Sequence, residues 1–247
     1  MKLVIALCFT WCLLCINSCK KFDTAGEMIQ SGIALTFDDC YVDNWYDYLP
    51  LLDSFGVKAT FYISQYHRLS PAQKNKLAIL RSKGHEIAFH TTNHPRMCQY
   101  LQAFGLNNLM QYEIYDDLTK MNQDGFYPKT FAYPYGEHNK ILDDRLLKIF
   151  KSLRILNGTT DYTLSETATT SNSILYGLGM DKKSNTLKTI ERTMESVSKN
   201  NTCLVLVGHR IEQPSSDLQV PYKRLKFILK RAKELNLRFY TVSEISN

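Results

Sequence analysis

The chain has 247 residues, a size that suits one large domain or two small ones, and its 44% hydrophobic, 12% aromatic and 22% charged composition excludes a disordered or low-complexity protein. Its formal charge of +6, about +5 if Lys2 is lost with a leader, comes from scattered residues whose densest clusters are Lys182–Lys183 and the Lys223–Lys233 stretch. No basic stripe is interleaved with stacking aromatics, so nucleic-acid binding is not expected, although a mildly basic surface would suit an anionic polymer or a membrane surface.

Lys2 opens an almost wholly apolar run, Leu3–Ile16, which has the length of a signal-peptide core and is too short to span a bilayer comfortably. The tetrapeptide Ile16-Asn17-Ser18-Cys19 that follows resembles a bacterial lipobox, in which the cysteine becomes the lipidated N-terminus after cleavage. The expectation is therefore a lipoprotein signal peptide over 1–18, a tether over 19–31 and a folded domain over 32–247. Lipid on Cys19 would anchor the chain to the membrane of the bacterial cell envelope, facing the periplasm or the exterior; an ordinary secretory leader with a chance cysteine is the alternative. Cys8, Cys12, Cys15 and Cys19 all lie in this region, leaving Cys40, Cys98 and Cys203. Three cysteines make no disulfide framework and no CxxC zinc pattern. Cys40 and Cys98 either bridge in an oxidising compartment or stand as two inert thiols, and two thiols is the expected state.

From Gly32 onward short apolar segments alternate with helical ones. Strands are predicted over Ile33–Phe37, Ala59–Ile63, Glu86–Phe89, Thr130–Tyr133, Leu153–Leu156, Ile174–Leu178, Leu204–Val207 and Arg238–Val242, each rich in β-branched and aromatic residues. Helices are predicted over 50–55, 71–83, 112–123, 186–199 and 222–235, each closing at glycine or asparagine. This alternation predicts parallel strands with helices outside, in a single α/β domain: a barrel of seven or eight strands, closed or incomplete. In such barrels the chemistry sits at the C-terminal strand ends.

Four predicted strands end in reactive or turn-forming residues. The first runs into Asp38-Asp39, two carboxylates that repel unless a cation or proton intervenes; a polar loop start or helix N-cap is the plainer reading. The third runs into His90-Thr91-Thr92-Asn93-His94, where spacing by four would put both rings on one face of a helical turn and let them grip one ion. Two histidines and one carboxylate leave positions open for water and substrate, as catalytic metal sites do. The fourth runs into Pro134-Tyr135-Gly136, a tight turn able to aim a backbone N–H into the site, and the seventh into Gly208-His209. His85 precedes its strand and belongs at the opposite end of the barrel. His67 and His138 have no constellation of their own, and His138 is expected in a solvent-exposed loop.

Together, Thr36-Phe37-Asp38-Asp39, His90-Thr91-Thr92-Asn93-His94, Pro134-Tyr135-Gly136 and Val207-Gly208-His209 resemble the motifs of the polysaccharide deacetylase family, the carbohydrate esterases of family 4 that share the NodB homology domain. Lys58-Ala59-Thr60-Phe61-Tyr62 and Gly84-His85-Glu86-Ile87 resemble the family's connecting text, so the likeness runs from about Gly32 to Ser246. The resemblance implies a distorted (β/α) barrel, a carbohydrate substrate and a divalent metal, usually zinc, held by Asp39, His90 and His94. It also implies Asp38 as general base, His209 as general acid and the Tyr135 N–H as an oxyanion donor.

Two features depart from the family pattern. The arginine that commonly stands two positions before the third-motif proline is Ala132 here, leaving Arg154 or Arg210 to hold the base ionised, with Arg154 favoured because it lies on the next strand. The aspartate and tryptophan that flank the acid histidine in the family have no clear match; Asp161 and Asp181 are the candidate partners of His209, and Trp11 and Trp45 lie elsewhere. The leading reading is removal of acetyl groups from peptidoglycan, a chitin-like oligomer, an exopolysaccharide or acetylated xylan. A non-catalytic carbohydrate-binding barrel and a hydrolase of non-sugar amides or esters are the alternatives.

Overall fold

The computed structural model describes residues 30–156, 172–212 and 216–246. The expected signal peptide, nearly all of the tether and Asp161 lie outside the described residues. Seven parallel strands close a barrel: β1 (Gly32–Asp39), β2 (Ala59–Ile63), β3 (Glu86–Phe89), β4 (Thr130–Ala132), β5 (Ser152–Leu156), β6 (Ile174–Gly179) and β7 (Cys203–Gly208), with β7 pairing back to β1 from Gly32↔Cys203 to Phe37↔Gly208. Two short strands, β8 (Arg210–Ile211) and β9 (Gln219–Val220), pair with each other beside the mouth. The expected eighth strand survives only as β10 (Arg238–Phe239), which pairs with the first two residues of β1. The chain then leaves the sheet for a 3-10 turn over Val242–Glu244, fixed by a capping box between Thr241 and Glu244.

Helices pack around the barrel: α1 (Val42–Asp47), α2 (Leu49–Ser54), α3 (Pro71–Ser82), α4 (Met97–Leu109), α5 (Asp116–Gln123), α6 (Lys140–Leu146), α7 (Leu187–Val197) and α8 (Tyr222–Glu234). Local chemistry sets their ends. Ser70 and Gln73 form a capping box ahead of Pro71, and the Thr186 side chain accepts from the Thr189 N–H. The predicted helix over 112–123 is the end of a longer helical stretch, in which α4 passes through a π-helical turn, Met110–Tyr115, into α5. Sequence periodicity misses α4 because it buries little beyond Met97 and Leu109 and is interrupted at Gly105. It misses α6 because that short helix closes at Leu147, with no glycine or asparagine to mark its end.

The outer core, between strands and helices, is large and apolar, with Trp45, Phe61, Phe89, Phe131 and Leu206 among its fully buried members. The inner core is narrow. Ala34, Ala88, Ala132, Cys203 and Val205 keep most of it small, and Tyr62 fills it. Val242 and Ile245 plug its floor. There the half-buried Glu86 accepts from the Thr60 and Thr130 hydroxyls at 2.9 and 2.8 Å and from the Ser243 N–H at 2.9 Å. His85 lies at this end, as its place before β3 requires. Its Nδ1 accepts the Ala59 N–H at 3.0 Å, and burial lowers its pKa to about 4.

Candidate active site

At the opposite end, β1 delivers Asp38 and Asp39 to the barrel mouth. Asp38 continues the strand with its side chain buried, while Asp39 turns into the left-handed region at φ 84°. That turn brings Asp39 Oδ1 to 3.4 Å from His94 Nε2 and 3.9 Å from His90 Nε2. One donor atom from each of the three residues lies within 4.8 Å of the others.

The histidines are not on a helical turn, which corrects the spacing argument. Residues 90–94 form a loop in which Thr91 and His94 adopt φ of 69° and 59°. Glu113, in the π-helical turn, holds this loop: its backbone carbonyl accepts the Thr92 N–H at 3.0 Å, and its carboxylate accepts the Asn93 backbone and side-chain N–H groups at 2.9 and 3.0 Å. The Thr91 hydroxyl accepts the His94 N–H at 3.0 Å. Strained backbone at Asp39, Thr91, His94 and Tyr135 is thus gathered at one mouth and held by its surroundings, as at many functional sites. Sequence reading offered no signal for Glu113, which lies about twenty residues beyond the motif it braces.

The donor set suits a divalent ion. His90 Nδ1 lies 2.7 Å from the Ala132 carbonyl oxygen, which can only accept, so the proton sits on Nδ1 and the Nε2 lone pair faces Asp39 and His94. Burial, opposed by Asp38 and Asp39, lowers the His90 pKa to about 4, keeping the ring in its ligating form at neutral pH. Two imidazole nitrogens and a carboxylate oxygen match zinc and its first-row neighbours.

Asp38 and His209 flank this cluster. Arg154 Nη2 donates to Asp38 Oδ2, and both side chains are almost fully buried. The sheet register explains the reach: Ala132 and Arg154 are direct partners across β4 and β5, so the alanine leaves space that the neighbouring guanidinium fills. Gly177 on β6 flanks the arginine on its other side, where an added Cβ would sit 3.1 Å from Arg154 Cδ and 2.4 Å from Val207. Burial would raise the Asp38 pKa, but Arg154, His90 and His209 together hold it below the usual carboxylate value. Arg210 does not take this role. Its guanidinium stacks on the Tyr41 ring at 4.1 Å.

Asp181 is the partner of His209. Its carboxylate meets His209 Nδ1 at 2.5 Å and accepts the His209 N–H at 3.2 Å. Arg224 secures the segment by donating to the carbonyls of Met180, Asp181 and Asn185. Burial disfavours the imidazolium, yet the Asp181 hydrogen bond and the charges of Asp38, Asp181 and Asp39 push the His209 pKa up to about 9. Trp45 also serves this histidine: its indole N–H donates to the His209 carbonyl at 2.8 Å. Of the two candidates, the structure brings Asp181 to His209; Trp45 sits far from it in the sequence, and no spacing could identify it.

The third-motif turn lies alongside. Gly136, at φ 71°, packs so closely on β5 that a Cβ would meet the Leu156 backbone nitrogen at 2.7 Å. Tyr135, as second residue of a single 3-10 turn, has no acceptor for its N–H within that turn. Its ring lies 4.8 Å from that of His94, with the Arg96 guanidinium 4.4 Å from it on the way to Glu137. The other histidines stay apart from the cluster. His67 Nδ1 pairs with Asp117 at 2.8 Å, and His138 stands in the solvent-exposed loop expected for it, with its Nδ1 2.9 Å from Asp143. Cys40, Cys98 and Cys203 are free thiols.

The comparisons agree with this geometry. A family model described as polysaccharide deacetylase matches residues 25–154, more than half of the chain. The Bacillus subtilis (strain 168) protein YxkH is 31% identical over 118 residues, 45% of this chain and 39% of that protein. Chitin deacetylase 1 of Cryptococcus neoformans var. grubii is 28% identical over 196 residues, 74% of this chain and 38% of that protein. The chain thus spans about two fifths of the length of these curated relatives. A family 4 acetyl xylan esterase from Clostridium thermocellum, solved with a cobalt ion, superposes with a TM-score of 0.58 at 21% identity, over 86% of this chain and 89% of that one, a likeness of fold. Since the matched span carries Asp38, Asp39, His90, His94 and the Pro134–Gly136 turn on one closed barrel, the chain belongs to the polysaccharide deacetylase family.

Proposed function

We propose that this chain is a metal-dependent hydrolase that removes acetyl groups from an N-acetylated or O-acetylated carbohydrate. One arrangement carries the reading: the Asp39, His90 and His94 donors stand between a carboxylate held ionised by Arg154 and an imidazole held protonated by Asp181. Family membership supports it, and a chitin deacetylase and an acetyl xylan esterase among the similar proteins support acetylated polysaccharide as the substrate class.

A divalent ion held by Asp39, His90 and His94, zinc being the ion proposed, would lower the pKa of water and polarise the acyl carbonyl. Asp38 acts as general base. Its Oδ2 is taken by Arg154, while Oδ1 is buried with no hydrogen-bond partner, leaving it to accept the proton of the attacking water. The Tyr135 N–H stabilises the oxyanion as the carbonyl carbon becomes tetrahedral. His209 then protonates the departing amine or alkoxide. Its Nδ1 is committed to Asp181, so the proton delivered is the one on Nε2. The C–N or C–O bond breaks, and acetate is released with the deacetylated sugar.

Location forms part of the same proposal. The Lys2-to-Cys19 pattern supports removal of 1–18 and lipid on Cys19, with the domain held at the bacterial cell envelope by the 19–31 tether. The decisive assay is acetate release from acetylated glycans with and without a chelator. Release that a chelator leaves untouched would defeat the metal-dependent reading, and binding without release would favour a carbohydrate-binding barrel.

A further inference from the structure

Arg210 follows the acid histidine in sequence but takes no part in the chemistry above. It is held in place from several sides. The Trp45 N–H bonds the His209 carbonyl, while Asn44 accepts the Ile211 N–H at 2.7 Å and donates to the Ile211 carbonyl at 2.9 Å. Arg210 itself pairs with Gln219 in the β8–β9 ladder. Its side chain lies on the Tyr41 ring, and its Nε is buried without a hydrogen-bond partner. Among the described residues no carboxylate pairs with it. It lines a cavity of about 250 Å³ with Cys40, Tyr41, Val42, Asp43 and Asn44, two of which, Cys40 and Tyr41, also feel the Asp39 charge. Arg68 is a second cation felt at Cys40, and it too has no carboxylate partner among the described residues. Asp43, the one acid lining the cavity among the described residues, is engaged by Lys76 at 2.6 Å and Gln73 at 2.9 Å.

A partly desolvated guanidinium held beside an aromatic face, with no carboxylate in direct contact among the described residues, is open to an anion. We propose that the Arg210 cavity binds an acidic substituent, a sugar carboxylate, on the residue next to the one being deacetylated, so that the preferred substrate is an acidic acetylated glycan. This rests on the deacetylase reading and narrows it. The Tyr41 ring would face the sugar bearing the acid, and Arg210 would take the carboxylate. Because Arg210 is braced by α1 and β9, little ordering is lost on binding.

The test compares two probes by calorimetry and by acetate release: a tetrasaccharide alternating N-acetylglucosamine with glucuronate, and a neutral tetrasaccharide of N-acetylglucosamine. Wild-type protein should bind the acidic probe more tightly by roughly ten- to a hundredfold, the range of one charge-assisted hydrogen-bonded pair, and the preference should shrink as salt rises. Arg210→Gln should collapse the ratio of the two affinities toward one, while Arg210→Lys, which keeps the charge, should retain part of it. Equal binding of both probes by wild type, or an unchanged ratio in Arg210→Gln, overturns the proposal. Binding is read without turnover. An acidic preference with no acetate released from either probe would therefore sustain the anion site while defeating the deacetylase reading.

Discussion

Arg154 neutralises Asp38 from the strand beyond the one that carries the third motif, because Ala132, its register partner, leaves the space a larger side chain would fill. The cation expected beside Asp38 from the family resemblance is thus supplied one strand to the side. Arg154→Ala should raise the Asp38 pKa and shift the acidic limb of the pH–rate profile upward by about one to three pH units, the scale of losing an adjacent cation. The sign follows from the carboxylate being the active form. A group held below its ordinary value also stabilises the fold above that value and loses this contribution as pH falls through the folded value. Breaking a buried pair costs about 3–5 kcal/mol, so Arg154→Lys is the companion variant that keeps charge in the site. An acidic limb unmoved in a folded, metal-loaded Arg154→Ala protein would show that the base does not depend on this cation.

The His209–Asp181 pair governs the other limb. Asp181→Asn keeps a side-chain oxygen for the ring but removes the charge, so the His209 pKa should fall from about 9 toward its ordinary value. The alkaline limb should move down with it, with the greatest loss on amides, whose leaving groups most need the proton. Since the folded value is raised, the pair stabilises the fold fully below about 6.5 and loses this contribution as pH rises through about 9. NMR titration of the His209 ring in the metal-free protein reads the shift directly. A ring that titrates alike in both proteins would refute the assignment of Asp181.

The barrel was legible because strand and helix periods alternate cleanly and most helices close at glycine or asparagine. Arg154 was legible for a related reason, since neighbouring parallel strands bring their ends together. The partners of His209 were legible only in part: Asp181 was one of two candidates beside Asp161, and Trp45 was not foreseen. Trp45 and Asp181 reach it from α1 and from the turn after β6, contacts that only the closed barrel creates. The His90–His94 spacing suggested a helical turn, yet the loop owes its shape to Glu113 and to positive φ at Thr91 and His94. Arg210 stands second to Arg154 on strand position alone, and the side-chain directions bear that order out: Arg154 reaches Asp38, while Arg210 turns onto Tyr41.

Anchoring is tested independently of catalysis. Expressed in a bacterium with lipoprotein processing, the chain should fractionate with membranes and incorporate labelled fatty acid, and Cys19→Ala should abolish the label. One acyl chain holds a protein only marginally, so firm retention implies several chains on the same residue. Mass spectrometry that finds an unmodified mature N-terminus at another residue would remove the anchor from the proposal.

The metal cluster separates from the base by substitution. His90→Ala and His94→Ala each delete a nitrogen donor from a three-residue set, and loss of an outer-shell partner alone weakens metal binding about 10–100-fold. Either variant should therefore lose its ion on dialysis against buffer that leaves wild type loaded, as read by elemental analysis. Asp38→Asn should behave oppositely, because Asp38 is committed to Arg154 and lies outside the donor set. It should keep the ion and lose turnover by about 10²-fold or more, the usual scale for removing a general base. The pH dependence of loading adds a further check. The Ala132 carbonyl fixes the His90 tautomer and burial keeps that ring neutral down to about pH 4, so a proton at His90 should not compete with the ion near pH 5 to 6. Equal metal content in wild type, His90→Ala and His94→Ala would place the ion elsewhere. Loss of the ion from Asp38→Asn would make Asp38 a ligand and leave the base unassigned.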